Sequence, residues 1–531
     1  MTLHIAYCEE KDFDTEKNAQ ENITIVTSGE VGTASRARVN ASGHVDQLDR
    51  QYGLLSICAT ALTIDNAWVA LGGSITVAVA NGGAPGIIYE FLASSVYCGF
   101  VAMSIAELAS SIPSAGGVYH WSLSIAAPLT QTLTYRAGLI NFYGWLFGLA
   151  SGILIPANVV MQMYVVFHPD VLVQPWHIFV AFVLINWFCC LTVIFFNRYM
   201  PALQRFGLFM IIVGGLVTII VRVLASAKSH ASASFVFTDW ENGTGWPGGV
   251  AFLTGMLNGA FAIGTPDSVT HMAEELPHPR RDLPKAVAAQ ILLGALTGFV
   301  YAVALMFSIT NLDAVLTSNG SFPLAVVYAQ ATGNKAGTFG LLLIVLLSVM
   351  PANIGGFITT GHIYWALARD NVTPFSSFFS QASALLSCPV PATVFCAILT
   401  TAFGAVQLGS KTALADLGGS FIILSTTSYA MAILPHLLSG RKNVPQGPFW
   451  MGRAGFFVNT MSVLLIVFTN VIFCLPYALP ATVPAMSYNS VILIGCVALT
   501  TFWWIIHGRT QYPGPCLPHL DAAGHKIDDE I

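Results

Sequence analysis

Charge is what this 531-residue sequence has least of. Asp, Glu, Lys and Arg make up 9% of it and hydrophobic residues 55%, against about 25% charged in ordinary soluble domains. So little charge cannot cover the surface of a water-soluble protein of this length, and lipid is the expected solvent. The ten cysteines include no C-x-x-C pair and no regular framework; most lie in apolar runs, where cysteine behaves as a small hydrophobe. An intramembrane histidine box, a Ser/His/Asp constellation and a soluble catalytic domain are also missing. No enzyme activity, cofactor or metal site is therefore expected. The net charge of −5 identifies no partner, because its distribution matters more than its sum.

Long apolar segments are what is present. They run at about 54–80, 84–110, 137–166, 175–196, 202–226, 248–274, 286–309, 337–367, 391–409, 412–438, 454–475 and 488–507. Each approaches or exceeds the roughly 20 residues that a helix needs to cross hydrocarbon. They predict an all-α integral membrane protein with twelve transmembrane helices, filling residues 51–507. Residues 1–50 are polar, with no apolar run behind a basic start, and read as a disordered tail; residues 508–531 read as a second tail.

An even number of crossings puts both tails on one side. Lysine and arginine choose the side, since cytoplasmic loops carry the excess. Eleven, among them Arg136, Arg198, Arg280, Arg281, Lys285 and Arg441, share the side of the tails; Arg222, Lys228, Lys335 and Lys411 oppose them. Both termini are expected in the cytoplasm, and the plasma membrane is the expected location. Two N-x-S/T sequons, Asn242 and Asn319, then fall outside as candidate glycosylation sites. Those at Asn22, Asn40 and Asn371 fall inside, so the sequons agree with this topology only in part.

Interruptions within the apolar segments matter most. Helix 1 carries Asp65 and Asn66 near its middle, and helix 6 carries Gly264, Thr265, Pro266 and Asp267. Backbone that gives up its hydrogen bonds at membrane depth survives only where it is buried in protein or lines a cavity, which is where solutes and ions bind. Five segments separate the two breaks, the spacing of a five-plus-five inverted repeat (about 51–226 and 246–438, with helices 11 and 12 at about 454–507). Pro156-Ala157-Asn158 in helix 3 and Pro351-Ala352-Asn353 in helix 8 repeat a triplet that a biased composition can also produce by chance.

Two motifs carry a family resemblance. In AELASSIPSAGGVYHW, the residues are Glu107, Pro113, Gly116, Gly117 and Tyr119; in DSVTHMAEELPHPRRDLPKA, they are Asp267, His271, Glu274, Glu275, Pro279 and Pro284. On these the chain resembles the fungal amino acid/choline transporters of the amino acid-polyamine-organocation superfamily, GABA permease-like or choline permease-like, over nearly all of residues 50–515. The resemblance implies twelve helices with broken helices 1 and 6, a midplane site between helices 1, 3, 6 and 8, and transport by alternating access. It also implies proton symport, with sodium as the alternative.

Asp65 is a fixed anion whose natural partner is a cation. It or Asn66 can also cap the second half of helix 1, and the two roles can coexist. Many relatives hold a substrate carboxylate at a Gly-x-Gly break in helix 1, which this chain lacks. An ionised Asp65 attracts an amine or quaternary ammonium instead, with Trp68 or Phe261 offering a ring face or merely packing. Asp267 is expected mainly as a cap for the second half of helix 6, close enough to the site for its protonation to couple to opening. Asn158 can bond substrate or another helix. The candidate substrate-binding residues are thus Asp65, Asn66, Trp68, Asn158, Phe261, Gly264 and Asp267. Glu107, His271, Glu274 and Glu275, near Arg280 and Arg281, are candidate gating residues or an ordinary polar network at the membrane edge. The expected function is secondary transport of a small amino acid or amine, the alternative being a solute sensor of the same fold that moves little.

Overall fold

The computed structural model describes residues 44, 47–73, 75–122, 127–225, 230–316, 322–409, 412–482 and 486–515. Asn22, Asn40, Lys228, Asn319, Lys411 and most of both expected tails lie outside the described residues.

Helices dominate the described residues. The first apolar segment forms α1 (Leu54–Ile64) and α2 (Ala67–Gly73), and the second forms α3 (Ile75–Ser111), interrupted at Gly83, whose φ is 69°. There follow α4 (Ala127–Phe167), α5 (Pro175–Phe196), α6 (Met200–Phe209) and α7 (Gly215–Ala225), then α8 (Gly248–Ile263), α9 (Pro279–Phe307) and α10 (Lys335–Arg369). The remainder are α11 (Val390–Gly404), α12 (Ala413–Leu438), α13 (Ala454–Phe473) and α14 (Asn489–Trp503). Ten helical stretches are long and apolar enough to cross a membrane, the longest being the 47 residues of Pro175–Val221; the 16 residues of α8 are a shorter apolar helix.

Large apolar side chains also cover the outside of the bundle. Leu184, Leu292, Leu296, Val471 and Ile494 are exposed, which water would penalise and lipid does not. Inside, α4 lies against α10 and α12, and α3 against α8 and α9. Three glycines on one face of α4 permit this closeness. A β-carbon at Gly144 would come within 2.7 Å of Ser425, at Gly148 within 2.8 Å of Phe421, and at Gly152 within 2.7 Å of Asn353. Small residues are the usual means of bringing helices together where lipid removes the hydrophobic incentive.

The two expected breaks are present, but they differ. In the first segment, Asp65 leaves helical geometry at φ −95° and ψ 56°, and α2 resumes at Ala67. The sixth segment does not resume as an α-helix: α8 stops at Ile263, and the chain turns into a 3-10 stretch, Thr270–Glu275. Pro266 has no N–H to offer a helix. The expected apolar helix over 248–274 is therefore α-helical only in its first 16 residues, and Asp267 has no second α-helical half to cap.

Candidate functional site

The broken segments meet at a cavity. Asp65, Asn66, Val69 and Ala70 line it from the first segment; Phe261, Ala262 and Thr265 from the sixth; Trp145, Gly148 and Gly152 from α4; Val349, Asn353 and Gly356 from α10; and Phe421 from α12. The glycine face of α4 creates this space, and the rings of Trp145 and Phe421, 5.3 Å apart between centroids, stand along it.

Asp65 is held from both sides. Thr265 donates its hydroxyl to Oδ1 at 2.7 Å, and Gln290 of α9 donates its amide to Oδ2 at 2.7 Å and to the Thr265 carbonyl at 2.8 Å. Asn66 donates to the Ser348 carbonyl of α10 at 3.2 Å, and its own carbonyl oxygen has no partner. These side chains join helices rather than capping α2. Asp65 keeps further acceptor capacity on a wall of the cavity.

Asp267 sits behind that wall, fully buried. Oδ2 accepts from Asn141 at 2.9 Å and Trp145 at 3.1 Å, and lies 3.3 Å from His271 Nε2; Oδ1 accepts from Tyr429 at 2.5 Å. The expectation of a cap gives way here to side-chain bonds reaching α4, α12 and the 3-10 stretch. Phe261 lines the cavity, resting on Gly418. Trp68 does not; it packs on Tyr301 at 5.0 Å and against Gly215. Asn158 is likewise off the cavity, bonded to the Leu154 carbonyl of its own helix at 2.7 Å. Gly264 forms the turn after α8 without lining the space.

The candidate gating residues fall into two groups. Glu274 takes both guanidinium nitrogens of Arg369, at 2.6 and 3.0 Å, and Glu275 accepts from Gln51 at 2.7 Å with His362 3.6 Å away. Burial works against the ionised Glu274, but Arg369 outweighs it and holds the carboxyl below its usual range. Burial pushes Glu275 up to about 8 against the Gln51 hydrogen bond, and Glu274 adds to the rise. Next to this pair, Asp370 lies between His44 at 2.7 Å and His120 at 3.3 Å; burial is outweighed by the two imidazoles, and its carboxyl falls well below the ordinary range. Glu107 stands apart, bound to Arg441 and the Met451 amide in the loop before α13. All four candidates are buried, unlike a network at the water's edge. Arg280 reaches the Ser110 carbonyl, not Glu274.

The sequon at Asn242 is structured: its amide donates to the Trp246 carbonyl at 2.6 Å and its oxygen accepts from Thr244. Glu90 in α3 has no partner for either carboxylate oxygen, and a β-carbon on Gly255 would come within 2.2 Å of it.

Reading the sequence missed Gln290, Asn141, Trp145, Tyr429 and Phe421. For α4 a signal existed: Asn141, Trp145, Gly148 and Gly152 follow one another at helical spacing, a polar and small stripe on one face.

Non-helical backbone beside a buried acid within an apolar bundle is tolerated where it lines a cavity. The family model described as amino acid permease matches residues 53–497. The chain belongs to that family. It is 33% identical to a choline transporter of Saccharomyces cerevisiae over 90% of this chain and 85% of the relative. It is 28% identical to a swainsonine transporter of Arthroderma benhamiae, covering 88% and 92% of the two chains, and 24% identical to an amino-acid permease of Arabidopsis thaliana, covering 93% and 98%. As a permease of this family the protein is a multi-pass membrane transporter, and the names of its relatives favour transport over solute sensing.

Proposed function

We propose that this permease carries a small cationic or zwitterionic amine, choline-like or GABA-like, across the plasma membrane in symport with protons, by alternating access. The carrying observation is the lining of the cavity, which among the described residues has one acid, Asp65, no Lys or Arg, and the rings of Trp145, Phe261 and Phe421. An ammonium gains from the carboxylate and from ring faces. An acidic amino acid would meet repulsion and no countercharge. The choline transporter among the relatives fits this chemistry.

A twelve-crossing, five-plus-five arrangement is part of the proposal. A helix of 47 residues would reach about 70 Å, over twice the roughly 30 Å of hydrocarbon, so Pro175–Val221 counts as two crossings; α8 supplies another. Exchanging the first five crossings for the next five maps one packing pair onto another: α3 with α8 onto α9 with α1 and α2, and α4 with α12 onto α10 with α6. The repeated triplets behave alike, Asn158 bonding the Leu154 carbonyl and Asn353 the Val349 carbonyl, each four residues back. The lysine and arginine count supports cytoplasmic termini.

Amide donors already engage two α10 carbonyls beside the first break, which disfavours sodium there and favours the proton. The Ser348 carbonyl accepts from Asn66 at 3.2 Å and the Pro351 carbonyl from Gln204 at 3.1 Å. The test is uptake of radiolabelled choline and GABA in cells stripped of their own permeases. The expected result is accumulation that a protonophore abolishes and replacement of sodium does not; binding without accumulation would sink the reading.

A further inference from the structure

We propose that the coupled proton is held between His271 and Asp267, and that Trp145 links its presence to the substrate. This inference rests on the proton-symport reading and names its site.

Hydrogen-bond bookkeeping carries the argument. His271 Nδ1 lies 2.8 Å from the Ala115 carbonyl, which can only accept, so Nδ1 carries a hydrogen. A neutral imidazole with its hydrogen there presents a bare lone pair from Nε2. Facing it at 3.3 Å is Asp267 Oδ2. An ionised carboxylate would oppose lone pair to lone pair, both fully buried. One proton removes the conflict, either as imidazolium beside carboxylate or as neutral imidazole beside carboxylic acid, and the pair shares it. The donors Asn141, Trp145 and Tyr429 on the same carboxylate support its charge and leave the remaining direction to His271.

Both neighbours of this pair are parts of the transport machinery. Trp145 stands on the cavity wall while its indole N–H donates to Asp267, so a ligand that shifts the ring shifts a donor to the proton site. His271 belongs to the same 3-10 stretch, Thr270–Glu275, that carries Glu274 and Glu275 to the cytoplasmic contacts. When the proton leaves, repulsion between Nε2 and Oδ2 acts on that stretch directly. Proton release therefore loosens the inner contacts, and proton binding favours their closure.

The groups around the pair do not supply the proton's place. Among those within electrostatic reach, Asp65 is bonded to Thr265 and Gln290, and Tyr429 donates to Asp267. His362 faces Glu275, Glu274 is committed to Arg369, and Gln290, which also lies beside Ser268, is neutral.

His271→Gln and Asp267→Asn each replace the shared proton with a permanent amide hydrogen. In proteoliposomes, wild type is expected to acidify the lumen with substrate entry and to concentrate substrate under an inward proton gradient. Each variant is expected to retain exchange of labelled for unlabelled substrate, while concentration falls to a ratio of about one and the substrate-driven pH change disappears. Gradient-driven concentration by either variant, with wild-type pH dependence, overturns the assignment. Should one variant fail to fold, the other decides. Should neither fold, Tyr429→Phe, which strips a donor from Asp267 and leaves the shared proton, is expected to move the pH profile of wild-type coupling, and an unmoved profile overturns it. Wild type that carries substrate without protons would sink the symport reading and this site together; coupled wild type with coupled variants sinks this site alone.

Discussion

Gln290 places one amide nitrogen 2.7 Å from the Asp65 carboxylate and 2.8 Å from the Thr265 carbonyl, so a single side chain of α9 bridges both broken segments. Replacing it with leucine leaves the buried Asp65 Oδ2 without a donor, at about 1–3 kcal/mol, while the Thr265 carbonyl keeps the Ser268 amide at 3.1 Å. Gln290→Leu is expected to lower the melting temperature of the purified protein and weaken substrate binding, whereas Gln290→Asn, too short to reach both partners, falls between. Thermal melts with and without substrate check this.

Asp65 supplies the only charge on the cavity wall among the described residues. Removing a charge-assisted contact of about 1.5–3 kcal/mol corresponds to roughly tenfold to a hundredfold in affinity. Asp65→Asn is expected to cost that much for a quaternary amine, with normal surface expression, because the asparagine still accepts from Thr265. Uptake kinetics measure it, and unchanged kinetics would reduce Asp65 to a joint between helices.

Arg369 and Glu274 form a buried pair whose disruption from one side strands a charge, at about 3–5 kcal/mol. Arg369→Met is expected to destabilise the closed end around this pair by that order and to speed labelling of a cysteine placed at Thr270. Adding Glu274→Gln removes the stranded charge and is expected to recover most of the melting temperature. A double-mutant cycle reads the coupling.

Glu275 makes the same end sensitive to pH. Its carboxyl is raised to about 8 when buried and returns toward 4.5 when wet, so the closed form binds more protons between those values. The resulting stabilisation of closure is complete below about 4.5 and is lost as the pH rises through about 8. Labelling of the cysteine at Thr270 is expected to accelerate over that interval, and Glu275→Gln to flatten the response.

The apolar segments and Asp65 were legible because membrane thickness and the cost of a charge in hydrocarbon act on any sequence locally. The position of each break was legible for the same reason at Pro266 and Gly264. The fate of the chain after the break was not, since Asp267 is claimed by Asn141, Trp145 and Tyr429, 122 to 162 residues away. Gln290 escaped notice because one neutral amide in an apolar helix looks like packing. Glu274 was matched in the sequence with Arg280 and Arg281, its neighbours along the chain, while folding gave it Arg369, 95 residues on.

Both ends of the described chain converge on one place. His44 bonds Asp370 and Gln51 bonds Glu275, while Tyr512 bonds Tyr119 and Thr134, and Asn371 bonds the Gln511 carbonyl. The ends of the described chain thus act as guy-ropes on the mouth around Asp370 and Glu275. A truncation that removes His44, Gln51 or Tyr512 is expected to slacken them, so transport rates measured on such a protein report the lost tether as well as the permease.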